Sequence, residues 1–295
     1  MSIQLIPYKP AGTIGSGPYV LREYKPDTGV DVSALSITYT GTHTDYGMVT
    51  MSDGARYRLL AFTASGTLSI EQPVNSEVCV VGGGANGNAE GGFGAGNKSS
   101  AGAGAYMKNQ VIEAFEGGPV VVGAAQGVSS IAGVSVTGVS GINGGTGAAA
   151  LPRYINQIPG TGDGLSKYPF GDSAYSLWAG KPHCGGGGSG GVSIRYGQGY
   201  SSWQYGQGGT NGGNGGLCTY TDRNGSSNAS GGSGGSYGGG NGGSSTVAGS
   251  NATYYGSGGG GGGYNEYYLE NSYTKAGGSG YQGIVYMRIP EEQAA

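Results

Sequence analysis

The sequence predicts an all-β protein that carries a sandwich of polyglycine II helices, in which extended glycine chains turn once every three residues. Glycine supplies 70 of the 295 residues, and charged residues make up only 11%. Short β-prone runs precede the glycine-rich part, and a final one, GIVYMRI, closes it at residues 283–289. A terminal strand needs a partner from earlier in the chain, so the glycine-rich part is expected to lie inside the folded unit.

Composition separates this chain from a disordered glycine-rich polymer. Disordered chains are typically highly charged and poor in aromatics, whereas this chain has 23 tyrosines and a net charge of -3. A flexible Gly/Ser linker is the alternative interpretation, but it accounts for neither the interleaved aromatics nor the terminal strand. There is no basic stripe typical of nucleic-acid binding and no apolar run long enough to cross a membrane, so neither nucleic acid nor membrane insertion is expected. The N-terminus also lacks the architecture of a signal peptide, which predicts folding in a cytoplasm.

The first 81 residues combine an extended arm with strand signals. Residues 1 to about 34 contain prolines, which restrict both themselves and the residues before them to extended conformations. ALSITYT alternates in polarity, and Asp53-Gly54 lies between two β-prone runs, which predicts a hairpin. ASGTLSI and EVCVV add further short runs, so about five strands and no helix are expected. We assign residues 1–59 to an N-terminal attachment region and residues 60–295 to a glycine-rich domain.

Apolar runs alternate with glycine beyond residue 82. The ranges 110–115, 119–123 and 130–141 are strand-like, whereas 34 of the 85 residues from 180 to 264 are glycine.

Six consecutive glycines stand between two tyrosine pairs in YYGSGGGGGGYNEYY, residues 254–268. A polyglycine II helix has no internal hydrogen bonds, so its backbone groups must bond to neighbours. In GGSGGS, residues 231–236, serine recurs every third residue and blocks one edge, but in the six-glycine run every edge is open. We therefore predict a central helix about 19 Å long, with neighbours on every side. The predicted core residues are Gly258, Gly259, Gly260, Gly261, Gly262 and Gly263.

Aromatic side chains flank the glycine runs and are the candidate receptor contacts. A tyrosine or tryptophan ring offers a large apolar face and a polar edge, which suits saccharides and exposed protein loops. The alternative for each residue is that it packs on the glycine layer. The candidates are Trp178, Tyr200, Trp203, Tyr205, Tyr220, Tyr254, Tyr255, Tyr267 and Tyr268.

Several motifs resemble chemical sites without their full pattern. GGGANG at residues 82–87 fits GxGxxG, but the glycine-rich continuation cannot open the helix that a dinucleotide site needs. His183-Cys184 and Cys218 lack the paired spacing of metal ligands, and Cys79 is expected to be a small core residue. The loop carboxylates show no spacing typical of a catalytic pair. We therefore expect no enzyme activity, no cofactor and no metal.

One ordered series of segments resembles a known family. VVGGG is followed by GAGAYMKNQVIEAFEGGPVVVGAAQGVSSIAGVSVTG, by long glycine tracts and by GGSGYQGIVYMRI. This order is similar to the glycine-rich domain of bacteriophage and prophage tail proteins, over about residues 60–289. It also resembles the receptor-binding adhesins at phage tail-fibre tips, in which glycine motifs form a polyglycine II sandwich.

The resemblance implies a virion protein that is assembled in the host cytoplasm. Its N-terminal region would attach to a tail or fibre protein, and loops between glycine motifs would bind a host surface protein or glycan. Residues 1–59 are shorter than the attachment domain of such adhesins, so attachment through self-trimerisation, or as part of a baseplate or capsid fibre, is the alternative. The competing hypothesis is a purely structural virion component, such as a decoration protein or head fibre without a receptor.

Overall fold

The described part of the computed structural model consists of two β-sheets connected by glycine-rich segments. The structure describes residues 30–88, 101–102, 104–137, 168–188, 190, 192–195, 202–205, 217–221, 230–235, 237–244, 246–267 and 273–291. Within these ranges there is no α-helix, and a single 3₁₀ turn covers Pro169–Gly171. The predicted all-β class is therefore confirmed.

Thirteen strands are present in the described ranges. In chain order they are β1 Ile37–Tyr39, β2 His43–Thr50, β3 Arg56–Phe62, β4 Gly66–Val81, β5 Met107–Val121, β6 Ser129–Ile131, β7 Val134–Val136, β8 Val192–Arg195, β9 Ser202–Tyr205, β10 Leu217–Thr221, β11 Tyr264–Tyr267, β12 Tyr273–Thr274 and β13 Ile284–Pro290. The first sheet has the antiparallel order β2-β3-β13-β4-β5-β6-β7, with β1 paired to the beginning of β4. The second has the order β12-β11-β8-β10-β9, in which β8 pairs in parallel with both β10 and β11.

The central strands of the first sheet are buried on both faces. Successive residues of a strand point to opposite faces, so a continuous apolar run serves two cores. On β3, Leu60 and Phe62 belong to one core cluster, whereas Leu59 and Ala61 belong to the other. Strands β4 and β13 divide their apolar residues in the same way. The double burial explains why EVCVV and GIVYMRI are nearly unbroken apolar sequences.

The hairpin predicted at Asp53-Gly54 is confirmed, since it joins β2 to β3. The predicted terminal strand is also confirmed, because β13 pairs with β3 and β4 from early in the chain. Residues 35–81 contain four strands rather than about five, because ASGTLSI and EVCVV are parts of the single strand β4. A bulge in the pairing with β5 lets β4 continue between them. The boundary drawn between residues 59 and 60 falls inside β3, so residues on both of its sides share one sheet.

The β2–β3 turn depends on glycine at position 54. Gly54 has a φ of +86°, and its N–H donates to the Met51 carbonyl. We expect Gly54→Val to lower the free energy of unfolding by about 1–2 kcal/mol, because a side chain disfavours this left-handed conformation. Nothing lies within 4 Å of a Cβ at this position, so the cost is conformational rather than steric. Denaturant unfolding measures it, and Gly54→Asn, which tolerates the conformation better, is the matched control; equal losses for both variants would contradict this explanation.

Three strands of the first sheet are adjacent in the chain to glycine-rich segments. Strand β4 leads into residues 82–88, residues 101–105 lead into β5, and residues 275–283 lead into β13. The glycine-rich segments are therefore extensions of the sheet along the chain.

Candidate functional site

The six-glycine run donates its backbone hydrogen bonds to three neighbouring segments in rotation. All six residues are buried. For two of these segments the donors are three residues apart in the run, and the third segment receives the N–H of Gly260. The donor and acceptor pairs are Gly258 to Gly185 at 2.8 Å, Gly261 to Gly188 at 2.9 Å, Gly259 to Ala85 at 2.9 Å, Gly262 to Asn88 at 3.0 Å, and Gly260 to Ser250 at 3.0 Å.

The carbonyl groups of the same run accept hydrogen bonds from other parts of the chain. Two of these acceptor sets again repeat every three residues. The pairs, donor first, are Gly240 to Gly258 at 2.9 Å, Gly243 to Gly261 at 2.9 Å, Gly102 to Gly259 at 2.8 Å, Gly278 to Gly260 at 2.7 Å, and Lys275 to Gly263 at 2.8 Å. A β-strand directs its backbone groups to two sides, so this three-way pattern distinguishes the run from the strands of the two sheets.

Close backbone approach around the run requires glycine. Four of its residues lie so close to a neighbouring carbonyl that an added Cβ would overlap the oxygen. The pairs are Gly259 with Gly278, Gly260 with Asn241, Gly262 with Lys275, and Gly263 with Ser244. The obstructing atoms belong to the backbone, so no side-chain rotation could relieve the overlap.

Asparagine side chains complete this hydrogen-bond network at three positions. In each case the amide oxygen accepts a backbone N–H in the way a carbonyl would. The acceptor and donor pairs are Asn86 with Gly280 at 2.9 Å, Asn241 with Gly234 at 2.7 Å, and Asn251 with Ser279 at 2.8 Å. These asparagines are not among the residues predicted from the sequence, although an asparagine within or beside a glycine run is a recognisable signal.

Four of the candidate receptor contacts lie on strands of the second sheet. They are Trp203 and Tyr205 on β9, Tyr220 on β10 and Tyr267 on β11. Strand β11 follows the six-glycine run without interruption, and β8 follows the segment that begins at Gly185. The second sheet is therefore attached at the C-terminal ends of two glycine segments. Tyr200 and Tyr268 lie outside the described residues.

Tyr254 and Tyr255 are brought together with two further tyrosines at the opposite end of the six-glycine run. The four rings form a continuous series, which we call the tyrosine row: Tyr237, Tyr254, Tyr255 and Tyr281. Successive ring centroids are 4.8, 5.4 and 5.6 Å apart. Tyr237 is 44% exposed and Tyr281 is 36% exposed, whereas Tyr254 and Tyr255 are half-buried. The sequence signal for the two added members was their position beside glycine runs.

Trp178 is a core residue, and its assignment as a receptor contact is wrong. Its side chain has 0% exposure. The ring packs against Tyr175 and Tyr286 at centroid distances of 4.9 and 5.5 Å, and the indole N–H donates to the Asp172 carbonyl. A side chain without exposed surface cannot contact a receptor, so Trp178 instead helps to cover the second core of the first sheet.

His183 lies buried beneath the tyrosine row. Its ring is 4.8 Å from that of Tyr254 and stacks at 6.1 Å on that of Tyr255. Its Nε2 is 3.0 Å from the Tyr286 hydroxyl, whereas its Nδ1 is buried and has no hydrogen-bond partner among the described residues. Burial lowers the pKa of His183 to about 3, so the imidazole is neutral at pH 7.

The structure also shows the contacts of the other sequence motifs, as far as they lie in the described residues. Gly84 and Gly87 of the GxGxxG sequence donate to the carbonyls of Tyr281 and Gly278. Cys79 is fully buried on β4, which confirms its prediction as a core residue. Within the described ranges, no three His, Cys, Asp or Glu side chains lie close enough together to hold a metal ion.

No family model, curated protein or solved structure matches this chain. Its function is therefore inferred from the residues and their geometry. In the described part of the chain, no helix combines the length and the apolar character needed to span a membrane.

Proposed function

We propose that the glycine segments form a polyglycine II sandwich with the six-glycine run at its centre. The support is the three-residue repeat of the hydrogen bonds around residues 258–263, since a helix with three residues per turn directs equivalent groups to the same neighbour at that interval. Complete burial of the run and the steric exclusion of a Cβ fit the same arrangement. Backbone hydrogen bonds on all sides offset the conformational entropy that six ordered glycines lose.

We propose that the protein is a bacteriophage tail or fibre-tip protein that binds a host-cell receptor through aromatic residues displayed on this sandwich. The observation that carries the proposal is that aromatic residues stand at both ends of the buried, hydrogen-bonded six-glycine run. The tyrosine row lies at one end of the six-glycine run, and the second sheet, with its aromatic residues, begins at the other. A rigid support of this kind limits the entropy lost when a receptor is bound. The resemblance of the segment order to phage tail proteins supports the same function.

The other parts of the proposed function follow from it. The N-terminal region attaches the protein to a tail or fibre protein, either singly or as a homotrimer. The protein is a non-enzymatic component of the virion, and its partner on the cell is a surface protein or glycan.

Competition between the purified protein and virions tests this function. We expect the labelled full-length chain to bind host bacteria in a saturable way and to reduce adsorption of the phage, because both would use the same receptor. Trp203→Ala and Tyr205→Ala test the second sheet as the contact surface, since cell binding about tenfold weaker in these variants would locate the receptor contact there. Absence of cell binding, together with undiminished adsorption, would favour a purely structural virion component.

A further inference from the structure

The tyrosine row is a partly exposed surface in which the two outer contacts are edge to face and the central Tyr254–Tyr255 contact is tilted by 53°. Tyr237 meets Tyr254 at an interplanar angle of 90°, and Tyr255 meets Tyr281 at 72°. Such contacts hold the rings in fixed orientations and leave parts of their faces open. Gly238 packs directly on Tyr254, where even a Cβ would overlap the Tyr254 side chain. The row is thus positioned by the same close backbone packing that surrounds the glycine run.

The hydroxyl groups of the row are available for a ligand. None of the four makes a hydrogen bond to the described residues, and none is among the buried polar atoms that lack partners. Two other tyrosines show the contrast, since the Tyr39 hydroxyl donates to the Ala64 carbonyl at 2.6 Å and the Tyr286 hydroxyl pairs with His183. A phenol hydroxyl without a protein partner can both donate a hydrogen bond to a ligand and accept one from it.

The chemistry of the row favours a neutral ligand that has both apolar and hydroxylated surfaces. The row contains no formally charged side chain. Burial, with smaller effects from Tyr237, Tyr255 and Tyr46, raises the pKa of Tyr254 to about 12, so its hydroxyl remains a neutral donor. An apolar peptide or lipid would remove four hydroxyls from water without replacing their hydrogen bonds, which is unfavourable. A sugar ring instead presents C–H groups to an aromatic face and hydroxyls to the phenols.

We propose that the tyrosine row binds a neutral saccharide chain, with successive sugar units lying along Tyr237, Tyr254, Tyr255 and Tyr281. The ring spacings of 4.8–5.6 Å form a regular series suited to a repeating ligand. This inference rests on the proposed function and specifies its receptor as a glycan. It also places the glycan at the end of the run that joins the first sheet, rather than at the second sheet.

Chemical or enzymatic treatment of host cells shows whether the receptor is a glycan or a protein. Periodate cleaves the vicinal diols of sugars, so we expect it to abolish binding of the labelled full-length protein, whereas protease treatment should leave binding unchanged. The opposite result would assign binding to a protein receptor and overturn the glycan inference. Capture of neutral but not acidic oligosaccharides from an immobilised panel is the expected second readout; capture of acidic members alone would also overturn it.

Substitutions at the two most exposed members locate the site. Tyr237→Ala and Tyr281→Ala are each expected to weaken cell binding by about tenfold, because each removes a ring face from the series. Tyr106→Ala is the matched control, since Tyr106 is 58% exposed and lies outside the row. Tyr237→Phe and Tyr281→Phe keep the ring and remove only the hydroxyl, so they should show a smaller loss.

The results distinguish failure of the inference from failure of the proposed function. Thermal unfolding of every variant should match that of the parent, which shows that binding losses do not arise from misfolding. If the parent binds cells and the folded row variants bind equally well, the inference is wrong and the proposed function stands. If the parent does not bind cells, the proposed function itself fails.

Discussion

Gly260→Val is expected to lower the free energy of unfolding by about 3 kcal/mol or more, the largest effect that we predict for a single substitution. The added Cβ would overlap the Asn241 carbonyl. The obstructing oxygen belongs to the backbone, so no side-chain rotation could relieve the overlap. Gly260 also donates to Ser250 and accepts from Gly278, so displacement of this residue would strain two further segments. Denaturant unfolding of the full chain measures the loss.

Ala248→Val is the matched control for this substitution. Ala248 is exposed in a neighbouring segment and already carries a Cβ, so the same final side chain should change stability little. If Gly260→Val were as stable as the parent, residues 258–263 could not be a packed core element and would have to act as a linker.

Acidification from pH 7.5 to pH 5 is expected to destabilise the fold by about 2 kcal/mol through His183 alone. Burial holds the pKa of this imidazole at about 3 in the folded state, whereas in the unfolded chain it is near 6.5. Below pH 6.5 the unfolded chain therefore binds a proton that the folded chain does not, so stability falls as the pH falls. The loss continues until about pH 3, where both states are protonated.

Replacing each of the two histidines in turn shows which of them causes the loss of stability between pH 7.5 and pH 5. His183→Gln should remove the dependence on pH between 7.5 and 5, although it lowers stability at neutral pH by disturbing the contact with Tyr286. His43→Gln leaves His183 and its buried surroundings in place, so it should keep the dependence that His183 supplies. Carboxylates titrate mainly below this range, near pH 4, so the measured slope belongs to histidine. A denaturation midpoint in the parent that stays constant from pH 7.5 to pH 5 would contradict the burial of a neutral His183.

Local patterns in the sequence predicted most of the first sheet. The Asp53-Gly54 hairpin and the closing strand follow from turn chemistry and β-prone runs, which act over a few residues. The number of strands was wrong because ASGTLSI and EVCVV are joined through a bulge, and the pairing of β4 with β5 that accommodates it connects residues far apart in sequence. The division at residue 59 shows the same limitation, since β3 pairs with β13 near the other end of the chain.

The surroundings of individual aromatic side chains could not be read from the sequence. Trp178 and Tyr254 both lie near glycine runs, yet the first is completely buried and the second borders solvent. The difference arises from the packing of residues 168–178 against the second core of the first sheet, which no local pattern encodes. The tyrosine row likewise assembles residues from three segments that are far apart in the sequence, so local patterns could identify only its individual members.

The exclusion of any Cβ from the six-glycine run has a consequence for how this protein evolves. Every missense change at these positions adds at least one carbon atom, and at four of them that carbon would meet a backbone oxygen. Selection would therefore hold the run invariant, while exposed positions such as Tyr237 can vary at little structural cost. Under the proposed receptor-binding function, a lineage that changes its host could exchange its surface residues repeatedly and still inherit the same glycine scaffold.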